Sequence, residues 1–299
     1  MQPRIIKRIM IPLLTAALLP AIFSCAGPET RQPGELSFII IGNTSPASPF
    51  TGHPEKLSYV FKSIKQENAF LVIHTGNIIQ GGSDSVGITV QDITRQFAAF
   101  IRDRDSLRAV IHILAGEKDL YNGSLDLFSH FTGEKLFYSF NYGSVHFVLL
   151  HILNKKHAVS PEQMKWLKRD LEKHRNDSAV FILSHFPIQS PPPSGIKYQD
   201  GEELHALFKE YPVKAAISGY SNNLSEFDKD GIRYIAAGCF GYNYEDWHWN
   251  YNQYYIAHFD GSKLTVKGIR VNFPADSYRP KIIKDETIDK NTGKIPKKK

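Results

Sequence analysis

The sequence predicts an α/β fold, and two patterns predict it. Apolar runs at residues 36–41, 70–75, 109–115, 179–183 and 214–218 each end in a polar loop. Those loops are Gly42-Asn43-Thr44-Ser45, Gly76-Asn77, Gly116-Glu117-Lys118-Asp119, Ser184-His185-Phe186-Pro187 and Gly219-Tyr220-Ser221-Asn222. Branched apolar residues that feed polar side chains into a loop mark buried strands with a site at their C-terminal ends. The second pattern is the helical spacing of the segments between them. Five strand ends of this kind predict one composite site.

In chain order, Arg4, Lys7 and Arg8 precede an apolar run over 9–23 that Pro12 and Pro20 interrupt. The run is short for a bilayer span and suits a secretory signal. It stops at Ile22-Phe23-Ser24-Cys25, which resembles a bacterial lipobox although Phe23 stands where a small residue is usual. This predicts a signal peptide over 1–24, a lipidated Cys25 and a polar tether over 25–35. The protein would then lie in a bacterial cell envelope, lipid-anchored to a membrane outside the cytoplasm. A plainly cleaved signal with an incidental Cys25 is the alternative.

Leu57, Val60, Phe61 and Ile64 give 55–67 a helical face, and Phe97, Phe100 and Ile101 do the same over 94–104. Residues 136–140 and 145–150 flank Asn141-Tyr142-Gly143-Ser144 as a hairpin. Ser160, Pro161 and Gln163 read as N-cap, first helical position and capping-box partner of the next helix. A short helix follows over 202–209. Strands are predicted over 233–237, 253–259 and 263–271, with a turn at Asp260-Gly261. One domain therefore covers 36–273, and 274–299 is a basic, flexible tail.

The 42% hydrophobic and 22% charged content is that of an ordinary globular chain, and two cysteines exclude a disulfide framework. The net charge of +6 sits at the ends. Three basic residues in 1–24 and a net +4 over 281–299 leave residues 25–280 near −1. No basic face for nucleic acid is expected.

The order and spacing of the strand ends resemble the calcineurin-like metallophosphoesterases. The likeness extends through the hairpin and the helix that carries Glu162-Gln163-Met164-Lys165-Trp166-Leu167. It implies a four-layer α/β/β/α sandwich of two mixed β-sheets, with two divalent metals at one end. The family pattern is Asp-x-His, Gly-Asp, Gly-Asn-His-Asp/Glu, a lone His, and Gly-His-x-His. Against it, this chain has Asn43 and Ser45, Asn77, Glu117-Lys118-Asp119, His185, and Tyr220 and Asn222. Of the implied metal positions only His185 keeps its residue. Lys118 stands where a leaving-group histidine is implied.

Two divalent ions bring +4, whereas Glu117 and Lys118 sum to about zero. Hard cations need anionic oxygens and imidazoles to replace their hydration. No cofactor is therefore expected, and the chain reads as a pseudoenzyme that binds or scaffolds. Glu117 and Lys118 would form an internal ion pair and Asp119 a helix cap. An acid/base pair of Glu117 and Asp119 is the sharper reading. His185 would be a hydrogen-bonded histidine in its old niche, and His74, His112, His146 and His151 core or supporting groups. The alternative is an atypical hydrolase with Mn, Fe or Zn on Glu117, His185, Asn43 and Asn77, in which Lys118, Asp119 and His185 are the catalytic candidates.

Residues 240–255 hold eight aromatics. Tyr242 with Tyr244, and Trp247 with Trp249, would each face one side of an extended chain. They could stack on a carbohydrate or protein ligand, close the sandwich, or drive self-association.

Overall fold

The computed structural model describes residues 35–46, 48–50, 55–152, 158–191, 198–220, 224–237 and 252–271. In order, its elements are β1 (Glu35–Ile41), α1 (Glu55–Gln66), β2 (Leu71–His74), α2 (Val90–Asp105), β3 (Val110–Ile113) and α3 (Asp126–Thr132). Then come β4 (Tyr138–Tyr142), β5 (Val145–Leu150), α4 (Pro161–Lys173), β6 (Ala179–Ser184), α5 (Gly201–Phe208) and β7 (Val213–Ser218). Last are β8 (Leu224–Lys229), β9 (Ile232–Ala237), β10 (Asn252–Asp260) and β11 (Leu264–Val271).

Two mixed sheets form, in the orders β11-β10-β1-β2-β3 and β4-β5-β6-β7-β9-β8. Between them the inward faces interdigitate: Phe38 meets Phe147 edge-on at 5.3 Å, and Phe181 meets Phe259 likewise at 5.3 Å. The outer face of the first sheet packs on α1, α2 and α3 through residues such as Val60, Phe97, Phe100 and Phe128. The outer face of the second packs on α4 and α5 through Leu167, Leu171, Leu204 and Phe208. These are the four expected layers. Each buried Phe or Leu adds about 1.5–3 kcal/mol of hydrophobic stabilisation.

Strand register brings the site together. Ile41 pairs with His74, His74 with Ile113, and Ser184 with Ser218. Within each sheet the parallel strands thus end level, and their loops leave from the same edge.

Some local expectations are corrected. β3 is an edge strand rather than a buried one, and Val110 is 60% exposed. Ser160 caps α4 by accepting from the Gln163 amide, but the Gln163 side chain does not close the box. Its Oε1 accepts from His151 N at 2.7 Å and its Nε2 donates to His151 O at 2.9 Å. A reciprocal capping box does stand at α2, between Thr89 and Asp92, so that helix begins before residue 94. Neither α3 nor β8 was predicted. β8 lies at a sheet edge with mostly exposed residues, so it carries no continuous apolar run.

Candidate functional site

The loops after β1, β2, β3, β6 and β7 meet where the two sheets end. Asn43 and Asn77 both have left-handed backbones, with φ of 53° and 61°. Asparagine tolerates that region better than most residues. The turns fix both side chains toward each other: Asn77 Nδ2 donates to Asn43 Oδ1 at 3.0 Å and to Glu117 Oε1 at 3.0 Å. Asn77 Oδ1 accepts from Lys118 N at 2.9 Å, and Asn43 Nδ2 donates to Gly219 O at 3.2 Å.

His185 is buried and joins the two sheets. Its Nδ1 bonds the Thr75 carbonyl at 2.6 Å, and its Nε2 makes a short contact with Glu117 Oε2. Both nitrogens face oxygens, so the ring is held from both sides. Glu117 and His185 thus form a hydrogen-bonded pair that bridges the two sheets. Burial pushes the Glu117 carboxyl up, but the His185 and Asn77 hydrogen bonds and the His185 charge bring it below the usual range.

Asp119 has a different task from the cap expected of it. It is 1% exposed. Its Oδ1 accepts from Ile78 N at 2.7 Å and Ile79 N at 3.1 Å, and its Oδ2 from Asn77 N at 2.9 Å and Gly116 N at 2.7 Å. It ties the loop after β2 to the loop after β3. Burial pushes its carboxyl up to about 6, against the pull of these backbone donors. Gly116 is required beside it, because a Cβ there would overlap Asn77. With every oxygen engaged in this loop lock, Asp119 is not half of an acid/base pair with Glu117.

The predicted Glu117–Lys118 ion pair is also corrected. Lys118 is exposed, and among the described residues Glu117 pairs with His185 instead. Successive side chains on a turn point apart, so adjacency in sequence did not become contact. Tyr220, 50% exposed, packs on Phe186 with ring centroids 4.5 Å apart. Ser45 is buried and its amide donates to Asn77 O at 2.9 Å. Asn222, Cys25, Tyr242, Tyr244, Trp247 and Trp249 lie outside the described residues.

The donors do not fit a pair of divalent ions. Both Glu117 oxygens and both His185 nitrogens are already bonded, and the other described ligand positions are amides, a serine and a tyrosine. His74 and His112 support the loops and sheets around the site. His74 Nδ1 accepts from Gly76 N at 3.1 Å and its Nε2 bonds Thr44 Oγ1 at 3.0 Å, holding the first two loops. His112 lies flat on Phe140 at 3.7 Å, and burial lowers it to about 4. The sequence reading missed the roles of Thr44, whose hydroxyl bonds His74, and of Thr75, whose carbonyl meets His185.

Beside Tyr220 a cavity of about 290 Å³ opens, lined by Pro187, Tyr198, Tyr220, Phe227 and Tyr234 among others. Its wall is mostly aromatic and apolar, which suits a ring or an apolar side chain rather than an isolated phosphate.

Comparison with known proteins agrees with this architecture. The human tartrate-resistant acid phosphatase type 5 is 31% identical over 78 residues, which are 26% of this chain and 24% of that protein. The rat protein of that name is 30% identical over 83 residues, 27% and 25% of the two chains. The chain thus spans about a quarter of the length of these curated relatives. Among solved structures, a dimetal phosphatase from Danio rerio has a TM-score of 0.57 at 14% identity, covering 81% of this chain and 100% of that one. A purple acid phosphatase from yellow lupin seeds has 0.55 at 16%, covering 80% and 52%. GAP50 of Plasmodium, described as the anchor in the inner membrane complex, has 0.51 at 13%, covering 80% and 85%. At such identities these structures share the fold. The profile described as calcineurin-like phosphoesterase matches residues 41–219, more than half of the sequence, and the chain belongs to that family.

Proposed function

We propose that this chain is a lipid-anchored envelope protein that uses a metallophosphoesterase fold for binding or scaffolding and does not hydrolyse phosphate esters. One observation carries the reading: the hydrogen-bonded net from Asn43 through Asn77 and Glu117 to His185 and Thr75. The members use their donors and acceptors on one another. A cation entering this net would break those bonds and meet one carboxylate as its sole anionic donor there. Without a metal there is no activated hydroxide and no Lewis acid for a phosphoryl oxygen. A protein or carbohydrate ligand would engage the aromatic rim at Tyr220 and the segment with Tyr242, Tyr244, Trp247 and Trp249. GAP50 of Plasmodium, which shares the fold, is described as the anchor in the inner membrane complex, and this supports the reading.

The test is turnover of a nitrophenyl phosphodiester by purified protein with added manganese. No turnover above buffer is expected. Metal-dependent turnover that His185→Ala abolishes would overturn the proposal and favour a hydrolase with a reduced metal site.

A further inference from the structure

A second cluster lies far from the strand ends. His146 on β5 pairs in register with Val180, four residues before the Leu150–Ser184 pair at the site end, or about 13 Å along the strand. It faces Asp170 and His174, one helical turn apart at the end of α4. One donor atom from each of the three lies within 4.8 Å of the others. His146 is fully buried, and the Asp170 and His174 side chains are each 11% exposed.

We infer that His146, Asp170 and His174 form a structural site for a zinc-class divalent ion, independent of the strand-end site. Two imidazoles and one carboxylate suit zinc or cobalt rather than magnesium or calcium. Each donor residue is held from behind. Asn141 Oδ1 bonds His146 Nδ1, Ser139 Oγ donates to Asp170 Oδ1 at 2.9 Å, and Asp177 Oδ2 bonds His174 Nδ1 at 2.9 Å. Outer partners of this kind orient metal-binding side chains and set the tautomer of ligating imidazoles. Charge also balances: Asp170 and Asp177 together offset the +2 of the ion.

His146 Nε2 and Asp170 Oδ2 are 2.8 Å apart. In a tetrahedral zinc site two such donors stand about 3.3 Å apart. A small shift of Asp170 therefore exchanges their hydrogen bond for the ion. The His174 ring lies on His146 at 3.6 Å and 8°. It must tilt out of this stack for both lone pairs to converge, so the bound state differs measurably from the stacked one. Burial leaves little room for a substrate. The ion would pin the end of α4 to the β4–β5 hairpin.

The test strips the full chain, in detergent, with a chelator and titrates it with Co²⁺ and then Zn²⁺. One Co²⁺ per chain with visible d–d bands, displaced by Zn²⁺, is expected. His174→Gln should weaken binding more than tenfold, Asp177→Asn about tenfold, and Glu117→Gln should leave it unchanged. Absence of saturable binding would overturn the inference. So would full binding by His174→Gln, or loss of binding in Glu117→Gln. Circular dichroism checks each variant. Should His174→Gln fail to fold, Asp177→Asn at the helix end reports instead: full binding by it sinks the proposal, and tenfold weaker binding upholds it.

Discussion

Four backbone N–H groups converge on Asp119, and this explains why a carboxylate stands buried in the loop after β3. Asp119→Asn leaves a single acceptor oxygen for four donors. Buried donors without partners cost about 1–3 kcal/mol each, so the variant should lose about 3 kcal/mol in urea unfolding. Lys118→Ala, by contrast, removes an exposed side chain and should move the midpoint by no more than about 0.5 kcal/mol. Glu117 has a pH signature. Its carboxyl is held below its usual value in the fold, so the unfolded chain binds more protons in acid. Its contribution is complete above the usual glutamate range and declines as pH falls below it. The Glu117→Gln variant should show a flatter stability profile between about pH 5 and pH 3. At this scale the sequence named Asn43, Asn77, Glu117 and His185 correctly as neighbours. It could not tell that Glu117 would turn to His185 rather than Lys118.

At the scale of elements, strands were legible where burial made them continuously apolar. β1, β2, β5, β6 and β7 fall close to the predicted runs, and their core-facing residues are nearly all buried. β8 carries no legible run because an edge strand keeps its polar residues in water, whereas β3 reads as buried although its apolar Val110 is exposed and Ile111 half-buried. Gln163 illustrates a tertiary contact that mimics a local motif. It sits at the third position of α4, yet its amide secures the backbone of His151. Gln163→Ala should therefore cost more than a lost cap. Two buried backbone groups lose partners, and a drop of about 2–3 kcal/mol by thermal unfolding is expected, against about 1 kcal/mol for Ser160→Ala.

For the whole molecule, the family resemblance and the structure agree on two sheets between helical layers. The loops that would hold metals keep the features that build their backbones: Gly76, Gly116, Asp119 and Gly219. What differs is the chemistry mounted on them. If the N-terminal reading holds, Cys25→Ser should move the protein from the membrane to the soluble fraction on cell fractionation. Retention in the membrane would instead point to the apolar run over 9–23 as the anchor.

The sequence by itself determined the continuously buried strands and the main helices, the order of the strand-end loops and the shortage of charged ligands. All of these are written in residues a few positions apart, where burial and backbone geometry act locally. Only the tertiary structure decided that Glu117 pairs with His185, 68 residues away, that Asp119 locks two loops, and that His146 meets Asp170 and His174. The physical reason is distance: a hydrogen bond forms with whichever partner the packed sheets bring to about 3 Å, and spacing along the chain does not report that.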